Sequence, residues 1–99
     1  MTFTRFHSKI KKMKITAIKD LIRKDVPIYY RRLFSGILII DLIDKTVESG
    51  IDFTVETKPT GINEVIINRM DNVDYPLLPL TKEVKKFISI LDGTGGLPA

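Results

Sequence analysis

The chain has 99 residues, of which 43% are hydrophobic and 28% charged, and its formal net charge is +4. These values are typical of one globular domain and exclude an intrinsically disordered chain. The absence of cysteine excludes a disulfide framework, a thiolate nucleophile and a Cys-ligated zinc or iron–sulfur site, and one histidine is too few for a metal site built from several.

No segment is apolar enough to span a membrane, because a spanning helix requires about 18 consecutive apolar residues. The longest apolar run, Ile37–Ile40, is followed at once by Asp41. The basic N-terminal region lacks the apolar segment and the small-residue cleavage site of a secretory signal. We therefore expect a cytoplasmic protein that makes no membrane contact.

An N-terminal helix is predicted after a basic and flexible arm formed by residues 1–13. Thr16 is a suitable N-cap for this helix. Pro27 disfavours helical geometry at the residue before it, so the helix is expected to end near Lys24 or Asp25. Its apolar positions have the spacing of a surface helix: Ala17, Ile18, Leu21 and Ile22.

Residues 28–34 permit two interpretations, a strand or a short second helix. Side chains of different character alternate along the segment, which favours a strand. Asp25 and Pro27 are equally suited to the first turn of a helix that ends at Gly36. In a strand, the dipeptide Ser35-Gly36 is expected to form either a tight hairpin turn or a bulge within one long bent strand.

Three further strands are predicted over residues 37–43, 51–56 and 64–69. These segments are rich in β-branched residues or alternate apolar with polar side chains. The connections between them contain Gly, Pro, Asp and Ser, which are turn-forming residues. Such short connections favour antiparallel neighbours, since a parallel crossover needs about a dozen residues or more.

A loop over Asp71–Leu78 and a C-terminal helix that begins at Pro79 or Thr81 complete the predicted elements. Gly93 is placed to end this helix, and residues 93–99 are predicted to form a flexible tail. Helical spacing relates the apolar residues of the buried face: Leu80, Val84, Phe87, Ile88 and Leu91.

The order of these elements predicts the fold class. We expect an α+β protein with one two-layer domain over residues 14–92. The domain consists of the N-terminal helix, an antiparallel meander of three to four strands and the C-terminal helix. Helices in such a domain cover one face of the sheet and leave the other to solvent or to a partner.

The strand over 37–43 is apolar on both faces, so one of its faces needs a cover other than the helices. That cover is either the N-terminal arm, folded back through Phe3, Phe6 and Ile10, or a second copy of the chain. A one-residue change of register would exchange the two faces. The favoured interpretation is a non-catalytic protein-interaction domain that self-associates or binds a protein partner. The predicted interface residues are Ile37, Ile39, Asp41, Ile43 and Thr54.

Charge is unevenly distributed along the chain. Residues 1–32 carry ten basic and two acidic side chains, whereas residues 33–99 carry six basic and ten acidic ones. This asymmetry is compatible with an anionic partner, and aromatic residues beside arginines are typical of single-strand stacking sites. The alternative interpretation is therefore sequence-tolerant binding of RNA or DNA. The candidate residues for it are Arg23, Lys24, Tyr29, Tyr30, Arg31, Arg32, Lys82, Lys85 and Lys86.

No motif predicts catalysis, a cofactor or a metal site. The phosphate-binding P-loop motif is absent, and no helix follows the Gly-rich segment 93–96. His7 has no companion histidine. Asp71 and Asp74 share one loop and are the candidate carboxylates of a third possibility, a small acid–base hydrolase.

Overall fold

The protein is described over residues 13–98 by a computed structural model. Within these residues the strands form one antiparallel sheet in the order β1-β2-β3-β4. One helix follows the sheet, so the predicted α+β class, the meander and the C-terminal helix are confirmed. The elements are β1 (Lys14–Lys24), β2 (Arg31–Asp41), β3 (Thr46–Thr57), β4 (Asn63–Met70) and α1 (Leu77–Gly93).

The predicted N-terminal helix is wrong, because its residues form the edge strand β1. β1 is bulged twice against β2, at Thr16 and near Asp20, whose φ of 52° is a left-handed conformation that Asp tolerates. Each bulge inserts one residue into β1. The residues that face the core, Ile15, Ile18 and Leu21, are therefore three apart instead of two. This spacing imitates the apolar stripe of a helix.

The ambiguous segment 28–34 is part turn and part strand. Residues 25–30 connect β1 to β2, and the strand interpretation is correct from Arg31 onwards. The dipeptide Ser35-Gly36 is neither a hairpin turn nor a bulge, since β2 pairs with β3 without interruption through both residues. The irregularity lies in the facing strand β1.

The hairpin between β3 and β4 closes through a turn over residues 58–62. The N–H of Lys58 donates to the carbonyl of Ile62 at 2.8 Å, and the N–H of Gly61 donates to the carbonyl of Lys58 at 2.8 Å. Gly61 has a φ of 90°, a conformation that favours glycine. Regular pairing of β4 with β3 runs to Ile67, and one extra residue near Asn68 then shifts the register.

The core lies between one face of the sheet and α1. Leu38 and Ile40 of β2 are fully buried, and the ring of Phe34 stacks on that of Phe53 with centroids 5.2 Å apart. Burial of each such side chain contributes roughly 1.5–3 kcal/mol. The apolar stripe predicted for the C-terminal helix is thereby confirmed. The fully buried residues of α1 are spaced four apart: Leu80, Val84 and Ile88.

The C-terminal end of α1 is tied to the sheet by a charged contact. The guanidinium of Arg32 donates to both carboxylate oxygens of Asp92, at 3.0 and 3.4 Å, and the amide of Asn63 donates to the same carboxylate at 2.8 Å. Burial alone would raise the pKa of Asp92, but the hydrogen bonds from Arg32 and Asn63 outweigh it and hold that pKa below its ordinary value. α1 ends at Gly93 as predicted, and Leu97 packs against the core beyond it.

Candidate interaction surface

The face of the sheet opposite α1, here called the open face, carries an apolar strip along β2. Because side chains alternate along a strand, the neighbours of the buried Leu38 and Ile40 point away from the helix. These neighbours are Ile37 and Ile39, and both are partly exposed. Within residues 13–98 no helix or further strand lies over them. Cross-strand register adds further apolar residues to the same face: Ile22, Leu33 and Ile66.

Charged residues flank the apolar strip in two columns of opposite sign. The basic column lies on β1 and the acidic column lies on β3, so the columns are separated by β2. The basic column consists of Lys14, Lys19 and Lys24, and the acidic column consists of Glu48, Asp52 and Glu56. The open face therefore presents an apolar centre between a positive and a negative border.

Ion pairs connect the two columns across β2. The ammonium of Lys19 lies 2.9 Å from the carboxylate of Glu48, and that of Lys24 lies 4.0 Å from the carboxylate of Asp52. The side chains of Lys19 and Glu48 are 47% and 53% exposed, and pairs this exposed contribute about 1 kcal/mol or less. Such pairs are easily rearranged, so they do not lock the open face.

Asp52 is the most strongly held carboxylate of the acidic column. It accepts hydrogen bonds from the hydroxyl of Ser35 at 2.6 Å and from the Nε of Arg69 at 3.1 Å. These two bonds, that from Ser35 first, lower the pKa of Asp52. Beside it, Thr54 is only 5% exposed and accepts a hydrogen bond from the amide of Asn68 at 2.7 Å. The polar groups at the centre of the face are therefore fixed in position.

The structure brings four of the five predicted interface residues onto the open face. Ile37, Ile39, Asp41 and Thr54 share it, whereas Ile43 lies in the turn after β2 with 72% of its surface exposed. The sequence analysis did not identify Leu33 and Ile66, although their alternation with buried neighbours carried the signal. The residues proposed for cover by the arm, Phe3, Phe6 and Ile10, lie outside the described residues.

The basic residues considered for nucleic-acid binding are divided among three surfaces. Lys24 and Arg31 lie on the open face, where each pairs with a carboxylate of β3. Arg23 and Arg32 lie on the side of the sheet that packs against α1, and Arg32 is bound to Asp92. The remaining candidates lie in the β1–β2 turn (Tyr29 and Tyr30) and on the outer surface of α1 (Lys82, Lys85 and Lys86).

The two carboxylates considered for a hydrolase occupy the connection between β4 and α1. Asp71 accepts a hydrogen bond from the N–H of Gly50 at 3.1 Å and another from the guanidinium of Arg69, so it fastens this connection to the sheet. Asp74 is exposed. Across residues 13–98, no group of three or more His, Cys, Asp or Glu is arranged to hold a metal ion. The described helix is not long and apolar enough to cross a membrane.

These observations define a small α+β domain whose one helix leaves a whole sheet face open. The model of one protein family, whose designation is a locus number and states no activity, matches residues 10–93. Because this match covers most of the sequence, the chain belongs to that family. Comparison with curated proteins and with solved structures found no match.

Proposed function

We propose that this protein is a non-catalytic interaction domain that self-associates by packing its open face against the open face of a second copy. The observation that carries the proposal is the apolar strip of Leu33, Ile37 and Ile39 on a face that the helix does not cover. Monomeric proteins seldom leave a contiguous apolar strip in water. Burying each isoleucine more fully is favourable by up to roughly 1.5–3 kcal/mol.

The balance of charge on the open face favours a second copy over a basic or an acidic partner. A uniformly charged partner would be attracted by one column and repelled by the other. A second copy carries both columns and is therefore able to complement both. The pattern is self-complementary, which is the property that a symmetric dimer interface requires.

The two columns also select the orientation of the two copies. A two-fold axis parallel to β2 places the basic column of β1 over the partner's acidic column on β3, on both sides of the apolar strip. A two-fold axis across the strands instead places the basic column over its own copy, which is repulsive. We therefore assign the axis along β2, with the sheets packed face to face in the aligned manner of β-sandwiches, about 10 Å apart.

The size of the open face is sufficient for a specific dimer. β2 has 11 residues, which at about 3.3 Å each gives a length of roughly 35 Å. Four strands at about 4.8 Å spacing give a width of roughly 19 Å. The face therefore offers about 650 Å² per copy, or about 1,300 Å² in total, within the range of stable interfaces of roughly 1,200–2,000 Å².

The test is sedimentation equilibrium at micromolar concentration on the full chain. The wild type is expected to be a dimer. Ile39→Asp is expected to weaken the dimer by about 100-fold, because each copy buries an unpaired carboxylate in the strip. The matched control is Ile90→Asp, on the outer surface of α1 with Ile90 58% exposed, which is expected to stay dimeric. A wild type that is strictly monomeric contradicts the proposal.

Charge reversal tests the orientation separately. The pair Lys19→Glu and Lys24→Glu places acidic residues over the partner's acidic column, so this variant is expected to dissociate. The pair Asp52→Lys and Glu56→Lys is expected to dissociate for the reciprocal reason, and an equimolar mixture of the two variants is expected to form a heterodimer. If Lys19→Glu with Lys24→Glu dimerises as well as the wild type, the axis does not lie along β2.

A further inference from the structure

The outer edge of the sheet at β4 offers unused backbone hydrogen-bonding groups. Antiparallel strands alternate between residues that bond to the neighbour and residues that point away from it. The bond from the N–H of Lys58 to the carbonyl of Ile62 fixes which residues of β4 bond to β3. Counting along the register, Glu64 and Ile66 bond inwards. The N–H and C=O groups of the alternate residues point outwards: Asn63, Val65 and Ile67.

The two edges of the sheet differ in how well they are protected against strand pairing. β1 is bulged twice and carries three lysines, which are features that block the addition of another strand. β4 pairs regularly from Asn63 to Ile67, and no described residue is hydrogen-bonded to its outer edge. Strand addition is therefore favoured at β4.

A groove runs between the β4 edge and α1. One cavity of about 390 Å³ lies at the end of β4 near Met70. A second, of about 440 Å³, lies at its beginning and touches both Glu64 and Val65. Because these two side chains point to opposite faces of the sheet, the second cavity must open at the edge. The helix residues along the groove are spaced four apart: Leu77, Thr81, Lys85 and Ser89.

The groove has a positive charge that the rest of the described chain does not neutralise. Lys58 pairs with Glu64 at 2.8 Å, but Lys85 and Lys86, which line the same cavity, form no ion pair with residues 13–98. An anionic partner is therefore favoured. A second copy joined edge to edge would bring the Lys85 and Lys86 side chains of both copies together, which is repulsive.

We propose that the outer edge of β4, with the groove beside α1, binds an extended acidic segment of a partner protein by strand addition. The backbone of the segment pairs with Asn63, Val65 and Ile67, and its carboxylates lie against Lys85 and Lys86. Main-chain bonds supply affinity and alternate side-chain positions supply selectivity, as in other complexes formed by strand addition. This site is separate from the open face and does not depend on self-association.

The test measures the fluorescence anisotropy of a short labelled peptide of alternating Glu and Thr with the full-length protein. Lys85→Glu combined with Lys86→Glu is expected to weaken binding by about tenfold or more, as expected when two attractive contacts become repulsive. The control combines Arg23→Glu with Lys45→Glu, which changes the net charge equally at sites away from β4, and is expected to weaken binding by less than about threefold.

Two modified probes separate strand addition from simple charge attraction. A peptide of the same sequence, N-methylated at alternate residues, cannot donate to the β4 edge and is expected to bind at least about tenfold more weakly. Hydrogen exchange of Asn63, Val65 and Ile67 is expected to slow when the unmodified peptide binds. Equal binding of the two peptides, or stronger binding of a single-stranded oligonucleotide through the same lysines, overturns the proposal.

Discussion

Gly36 occupies the point where β1 and β2 approach most closely. A Cβ atom at this position would lie 2.7 Å from Cγ2 of Ile18, 3.1 Å from Cδ1 of Leu21 and 3.2 Å from the carbonyl oxygen of Lys19. The Ile18 methyl group is attached directly to Cβ and the Lys19 oxygen belongs to the backbone, so neither moves easily. We therefore predict that Gly36→Ala destabilises the fold.

The magnitude follows from two opposing effects. Overpacking of a closely packed site costs about 1–3 kcal/mol. Replacement of Gly by Ala restricts the unfolded chain and returns about 0.4–1 kcal/mol. The expected net loss in the free energy of unfolding is about 1–2 kcal/mol, which for a domain of this size lowers the Tm by roughly 4–16 °C.

Urea denaturation followed by far-UV circular dichroism measures this loss. With a slope of about 1–3 kcal/mol per molar urea, the midpoint is expected to fall by roughly 0.5–1.5 M. The control is Gly93→Ala at the last residue of α1, where an added Cβ has no neighbour within 4 Å and which is expected to be neutral or slightly stabilising. If Gly36→Ala is as stable as the wild type, the packing of bulged β1 on Gly36 is refuted.

Three further predictions concern the core and its charged contacts. Arg32→Ala is expected to lower the free energy of unfolding in urea by about 1–3 kcal/mol, because it leaves the 15%-exposed Asp92 carboxylate without its guanidinium partner. Stability is expected to fall below about pH 4, since carboxylates with a depressed folded-state pKa stabilise only while ionised; Asp52→Asn is expected to make thermal melts less pH-dependent there. Leu38→Ala is expected to cost about 2–5 kcal/mol in the same denaturation assay, and Ile90→Ala, at 58% exposure, less than about 1 kcal/mol.

The strand β1 shows why local periodicity was insufficient to predict the whole fold. Its core residues Ile15, Ile18 and Leu21 are spaced as on a helix, but the spacing arises from two bulges. The bulges are stabilised by contacts with β2, and in particular by the space that Gly36 leaves open. A pattern search along β1 contains no information about the residues that face it across the sheet.

Elements whose pattern is local could be predicted well. The stripe of α1 and the alternation of β3 and β4 arise from one segment at a time, so their existence and type followed from the sequence. The open face required more, because Ile66 joins Ile37 and Ile39 only through the register of three strands. The ion pair of Lys19 with Glu48 likewise spans two strand junctions, so it could not be predicted without the topology.

The two proposed surfaces lie on different parts of the sheet, which leads to a last prediction about their independence. A dimer packed through the open faces leaves the outer backbone of β4 and the lysines of α1 exposed to solvent. Ile39→Asp is therefore expected to abolish the dimer while it binds the labelled acidic peptide within about threefold of the wild type. Lys85→Glu with Lys86→Glu is expected to do the reverse.

Measuring sedimentation and anisotropy on the same preparations distinguishes failure of one proposal from failure of the other. Loss of both properties in either variant, with the circular dichroism spectrum unchanged, would mean that the surfaces are coupled and that the face-to-face arrangement is incorrect. Coupling of that kind would require the peptide site to be shared between two copies. A symmetry axis at the β4 edge would then be needed, against the repulsion between Lys85 and Lys86 of the two copies.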